Sequence, residues 1–257
     1  MIPWIHLDTA QVPGGGELRL SRRGDEFSIR LGHNELMNNR LSGSEKALAT
    51  LAFERIKDRA RPRMLIGGLG MGFTLGAALE VLPAGASVVV AELVPAVIAW
   101  AHGPMAEVFG NSLSDPRVMI VQDDVGALIR SGRGGYDAIL LDVDNGPEAM
   151  TRSSNDGLYG VEGLGDARAA LKGGGVLAVW SQGPDKSFGG RLFKSGLAVE
   201  EHRVRAHRTG KGARHVIWLA TKAHAGQPGA GKPKPRPKPA NGAKRPPAAA
   251  QLRKGGG

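Results

Sequence analysis

The chain contains no cysteine. A disulfide framework, a thiolate nucleophile and a cysteine-based zinc site are therefore excluded. No apolar run approaches the roughly 18 residues of a membrane span. The opening Met1-Ile2-Pro3-Trp4-Ile5-His6 lacks the basic-then-apolar pattern of a secretory signal. A cytoplasmic protein without membrane contact is the expectation. The seven histidines show neither H-x-x-x-H nor H-E-x-x-H spacing, so no metal site is expected. A G-x-S-x-G nucleophile elbow is missing as well. Acids are absent from Lys222 onward, where nine lysines and arginines stand. Most of the net charge of +10 sits there, and the first 221 residues are close to +1.

What is present is enough for one sizeable α/β core: 257 residues, 41% of them apolar. The segment 222–257 is expected to be a disordered, extended tail. Its Lys232-Pro233-Lys234-Pro235-Arg236-Pro237-Lys238-Pro239 run forbids helix and ladder, and its like charges repel. Such a tail either keeps the chain soluble or touches a polyanion weakly.

Residues 61–221 read as a nucleoside-binding domain. Met64-Leu65-Ile66-Gly67, Ser87 to Glu92, Arg117 to Val121, Tyr136 to Asp142 and Gly175 to Trp180 are apolar strands. Helical stretches, such as Pro95 to Phe109 and Asp166 to Leu171, separate them. Continuous Val/Ile/Leu strands covered on both faces indicate a doubly wound, mostly parallel, Rossmann-like sheet. Leu197 to Val204 and His215 to Ala220 add an antiparallel pair at one edge, making seven strands. Residues 1–60 form a small N-terminal β element. Glu17 to Leu20 and Glu26 to Leu31 alternate around the turn Arg23-Gly24-Asp25 as a hairpin. A helix then runs from Ser42 to about Asp58, with Ser42 and Glu45 at capping-box spacing.

The chemistry gathers after the strands. Gly67-Gly68-Leu69-Gly70-Met71-Gly72 follows the first, and Gly67, Gly68, Gly70 and Gly72 let a ligand approach the main chain. That pattern alone serves NAD, flavin and S-adenosylmethionine equally. Glu92 ends the second strand, where an acid accepts hydrogen bonds from both ribose hydroxyls. Asp123 and Asp124 follow the third; Asp124 suits an adenine amino group and Asp123 the cap of the helix Val125 to Arg130. The fourth ends in Asp142-Val143-Asp144-Asn145-Gly146-Pro147. Paired carboxylates there suit a cationic amine: one holds an ammonium, the other takes its proton. Ser181, Gln182 and Asp185 follow the fifth strand and are candidates to line the acceptor site. Trp180 reads as a core residue.

Taken in order, from Leu18 to Ala220, these motifs resemble the spermidine synthase (polyamine aminopropyltransferase) superfamily, with its class I S-adenosylmethionine-dependent transferase fold. Gly67 to Gly72 matches the family's Gly-Gly-Gly-Asp-Gly-Gly loop, Glu92 its ribose acid and Asp123-Asp124 its adenine-side Gly-Asp pair. Asp142 to Gly146 matches the catalytic Asp-Ser/Thr-Ser/Thr-Asp-Pro loop. Leu171-Lys172-Gly173-Gly174-Gly175-Val176 matches Leu-Lys-Pro-Gly-Gly-Val. The resemblance implies a homodimer that moves an aminopropyl group from decarboxylated S-adenosylmethionine to a polyamine or other small cationic amine, without a metal. Asp142 would be the base. Asp144 and Asn145 would face the amine, joined by Gln182 from its place after the fifth strand. Two departures stand out. The donor-facing aspartate of the glycine loop is Gly70, and the fourth residue of the catalytic loop is Asn145. The family's Gln and Tyr-x-Glu contacts have no clear match between Glu35 and Glu45. Loss of the acid at residue 70 removes repulsion toward the carboxylate of ordinary S-adenosylmethionine. N-methyl transfer to an amine is therefore the alternative activity, and a silent nucleoside- or polyamine-binding protein is the third reading.

Overall fold

The computed structural model describes residues 2–13, 15–143, 157–206, 212–224 and 226. Asp144, Asn145 and most of the basic tail lie outside the described residues. The main sheet has seven strands: β5 (Arg63–Gly67), β6 (Ser87–Ala91), β7 (Val118–Val121), β8 (Tyr136–Leu141), β9 (Leu171–Ser181), β10 (Ala198–Arg205) and β11 (Arg214–Thr221). Their order is β10-β11-β9-β8-β5-β6-β7. Pairing is parallel from β9 through β7, and β11 joins β9 antiparallel. The doubly wound, mostly parallel α/β reading is borne out.

Side-chain alternation splits the core into two layers. Met64 and Ile66, Val88 and Val90, and Leu140 pack on one face, together with the apolar side of α1 (Gly43–Ile56). Leu65, Val89, Ile139 and Leu141 pack on the other, against α5 (Val125–Ser131), α6 (Val161–Ala170) and α7 (Lys186–Lys194). Every residue of β8 is buried, so this strand reads as an unbroken apolar run. At its start Asp137, about 1% exposed, accepts from Lys172 Nζ at 2.6 Å and from the Arg63 N–H at 2.8 Å. Stripping partners from a buried carboxylate of this kind costs about 3–5 kcal/mol.

The structure corrects several expectations. The stretch Pro95 to Phe109 is two helices, α3 (Pro95–His102) and α4 (Ala106–Phe109). Gly103-Pro104 divides them, because proline has no N–H to continue the ladder. The N-terminal element is a four-stranded antiparallel sheet: β1 (Ile5–Gln11), β2 (Glu17–Arg23), β3 (Glu26–Leu31) and β4 (Asn34–Asn38). Ser42 occupies the N-cap of α1, yet its side chain makes no capping bond. Glu45 instead accepts from the Ser44 hydroxyl at 2.8 Å. The described chain also runs past residue 221, through Lys222 to His224. Lys222 donates its N–H to the Gly175 carbonyl, and its Nζ bonds the Leu171 carbonyl.

Candidate active site

The strand order reverses at β5, which lies between β8 and β6. In such a sheet the ligand crevice opens beyond the carboxyl ends of the strands at this point. A cleft of about 860 Å³, counted to its open mouth, lies there. Its floor is Gly68 and Gly70 after β5, Glu92 after β6, Asp123 and Asp124 after β7, and Asp142 after β8. Its roof comes from the N-terminal sheet, through Leu18, Leu31, Leu36 and Met37. A second cleft of about 510 Å³ shares Leu36, Met37, Gly68, Gly70 and Asp142 with the first and adds Glu45 and Gly72. The structure thus gathers Gly68, Gly70 and Gly72 and five acids along one continuous groove, while Gly67 stays within β5 and lines neither cleft.

Gly68 makes the meeting of β5 and β8 possible. Its φ is +91°, and a Cβ there would stand 2.6 Å from the Asp142 carbonyl oxygen. A side chain would therefore be strained and would push the loop off Asp142. The Asp142 N–H in turn donates to the Gly67 carbonyl at 3.1 Å.

Asp142 is half-buried and lines both clefts. Its Oδ2 accepts from the Thr74 hydroxyl at 2.6 Å. Burial, and then the nearby Glu45 carboxylate, push its carboxyl up to about 7, against the Thr74 hydrogen bond. Glu92 is 8% exposed. It accepts from Leu69 N–H at 3.0 Å and from Val94 N–H at 2.9 Å, tying the glycine loop to the end of β6. Burial pushes its carboxyl up, and these backbone donors pull it back.

The two aspartates after β7 exchange structural parts relative to expectation. Asp124 caps α5, accepting from Ala127 N–H at 3.0 Å, while Asp123 accepts the N–H of Asp124 at 2.7 Å. An Asn/Asp/Ser/Thr cap bonds two or three residues ahead, and only Asp124 stands at that offset from the helix. Both still line the cleft. Gln182 does not join the groove. It is exposed, and its carbonyl faces the His215 ring. Ser181 donates to the Gly183 carbonyl, Asp185 caps α7, and Trp180 packs against the core. Sequence reasoning missed Thr74, Glu45 and the roof residues Leu36 and Met37. No local pattern marks any of them, because each meets Asp142 or the glycine loop only across the fold.

Among the described residues no group of His, Asp and Glu side chains is arranged to hold a metal ion. Nor is any helix among them long and apolar enough to cross a membrane.

The fold is that of the class I S-adenosylmethionine-dependent transferases. It superposes on a spermidine synthase in complex with the transition-state analogue AdoDATO with a TM-score of 0.67 at 17% identity, covering 85% of this chain and 72% of that one. The spermidine synthase of Thermotoga maritima gives 0.66 at 17% identity, with 85% and 73% covered. Human methyltransferase-like protein 13 in complex with SAH gives 0.51 at 21% identity, with 73% and 82% covered. In sequence the chain is similar to the polyamine aminopropyltransferase of Mycobacterium tuberculosis, 31% identical over 173 residues, which is 65% of this chain and 31% of that protein. That of Corynebacterium efficiens is 34% identical over 137 residues, covering 51% and 25%. The chain spans about a third of the length of the curated relatives it matches. No protein-family model matches it. The resemblance to the spermidine synthase superfamily is borne out, in sequence over part of the curated relatives and in fold.

Proposed function

We propose that this chain transfers an aminopropyl group from decarboxylated S-adenosylmethionine to a small cationic amine. One observation carries the reading. The described lining of the two clefts holds five carboxylates, Glu45, Glu92, Asp123, Asp124 and Asp142, and no lysine, arginine or histidine. Such a groove attracts a sulfonium and an ammonium and repels a carboxylate. Gly70 lacks the acid that the superfamily places in its loop, but Glu45 supplies one at the same end of the groove. The carboxylate of ordinary S-adenosylmethionine would meet Glu45 and Asp142 there. The decarboxylated donor meets them with an ammonium instead.

Asp142 takes the proton of the incoming ammonium, and a carboxyl near 7 suits that task at neutral pH. The freed nitrogen lone pair forms the N–C bond as the C–S bond breaks, and the sulfonium becomes a neutral thioether. Glu92 orients the ribose, and Asp123 and Asp124 face the adenine. The groove aligns the two substrates, which is most of what a displacement beside a sulfonium needs. The soluble, cytoplasmic setting and the homodimer belong to the same proposal. Transfer of methyl from ordinary S-adenosylmethionine is the second reading, favoured by Gly70 and by the likeness in fold to a methyltransferase.

Incubating the chain with each donor and with putrescine separates these readings by mass analysis. Methylthioadenosine marks aminopropyl transfer, S-adenosylhomocysteine marks methyl transfer, and neither product leaves a silent binding protein. Glu45→Gln sharpens the test. Removing one like charge from the groove should reduce the preference for the decarboxylated donor by about tenfold, through tighter binding of the ordinary one. An unchanged ratio of the two affinities would remove Glu45 from the donor's surroundings.

A further inference from the structure

We infer that Thr74 is the positioning residue of Asp142: its hydroxyl clamps Oδ2, keeping the carboxylate ionised and turned so that Oδ1 meets the amine. The inference rests on the reading of Asp142 as proton acceptor. Thr74 stands in the first turn of α2 (Phe73–Val81), and it is 4% exposed. Its Oγ1 lies 2.6 Å from Asp142 Oδ2 and 3.4 Å from the Glu45 carbonyl oxygen. A hydroxyl has one proton to give. The shorter distance is that of a charge-assisted O–H···O⁻ bond, and the longer is at the limit of a hydrogen bond. The proton therefore belongs to Asp142. Among the described residues Thr74 is the one hydrogen-bond donor to this side chain.

The surroundings explain why a clamp matters. Glu45, from α1, is the charged neighbour that bears on Asp142, and it opposes ionisation. α2 brings only the Thr74 hydroxyl. β5 and β9 set Gly67 and Val179 beside Leu141, the residue before Asp142, and neither carries charge. Burial opposes ionisation too. Thr74 is thus the group that holds the carboxylate in the form able to accept a proton. A buried Thr serves this better than a long side chain, because one torsion, χ1, places the hydroxyl and few rotamers are left to it.

The test uses the full chain and three variants. Thr74→Val keeps shape and removes the hydroxyl, Thr74→Ala removes both, and Thr74→Ser keeps the hydroxyl alone. Carboxyl ¹³C NMR of aspartate-labelled protein follows Asp142, whose signal is identified by its loss in Asp142→Asn. We expect the Asp142 midpoint to rise by roughly one pH unit or more in Thr74→Val and Thr74→Ala, and to stay at its wild-type position in Thr74→Ser. The acidic limb of kcat against pH, with decarboxylated S-adenosylmethionine and putrescine, should move the same way, since turnover needs the ionised carboxylate. Affinity for methylthioadenosine should hold. A midpoint and limb that stay in place while melting temperature falls would reduce Thr74 to packing and overturn the inference. The proposed activity stands or falls separately. A shifted midpoint without any product keeps the clamp and removes the aminopropyl reading, whereas product with an unshifted midpoint keeps that reading and removes the clamp.

Discussion

Asp142→Asn should lower kcat by about 10²–10⁴, the usual worth of a general base, with affinity for methylthioadenosine nearly unchanged. The amide keeps the shape of the side chain and can still accept from Thr74, so the groove is preserved. What is lost is the ability to take a proton. Near neutral pH an attacking amine is almost wholly protonated, and each turnover must dispose of that proton. The same substitution should stabilise the free protein in alkaline solution. The folded value of about 7 lies above the ordinary 3.8. Between those values the native state holds more protons than the unfolded one, so stability is full below about pH 4 and is lost as the pH rises through about 7. Asparagine carries no such dependence. Its advantage should be absent in acid and present at about pH 8, where even 1 kcal/mol raises Tm by about 2–4 °C in a domain of this size. Calorimetry at the two pH values and steady-state kinetics check both halves. Full turnover in Asp142→Asn would place the amine site elsewhere than at the end of β8. Lower stability at about pH 8 than the parent would show that the carboxylate is compensated in a way the groove does not reveal.

The coupling of lost stability to gained chemistry also explains what could be read from the sequence. The central strands were legible because burial on both faces forces unbroken apolar runs, as in Tyr136–Leu141. The strand-end acids were legible because a doubly wound sheet puts ligands there whatever the chain. The edge strand β1 was not. Its Ile5 and Leu7 are exposed, so no alternation of buried and exposed residues marks Ile5–Gln11. Lys222 was assigned to the charged tail by composition, yet a backbone N–H and C=O pairing with β9 residues holds it in place. Glu45 shows the same limit at the site. Its spacing from Ser42 is that of a cap, and its actual neighbour is a carboxylate 97 residues further along the chain. Local spacing reports local hydrogen bonds, and tertiary contact decides which of them form.

Glu92→Gln should weaken methylthioadenosine by about 1.5–3 kcal/mol, roughly 10- to 150-fold, the worth of hydrogen bonds to a charged group. Two effects compete in that number. The proposed ribose bonds lose a charged acceptor. In addition, one oxygen becomes an NH₂ facing the N–H of Leu69 or Val94, both now bonded to the carboxylate. The second effect loosens the glycine loop even if Glu92 never touches a ribose. A double-mutant style cycle tells them apart. The protein is tested with methylthioadenosine and with its 2′-deoxy form, before and after the substitution. If Glu92 holds the ribose, deleting the 2′-hydroxyl costs the parent protein much of the same energy and costs Glu92→Gln little. If Glu92 only ties the loop to β6, the deoxy penalty is equal in both proteins, and the ribose acid must be sought among the other carboxylates of the groove.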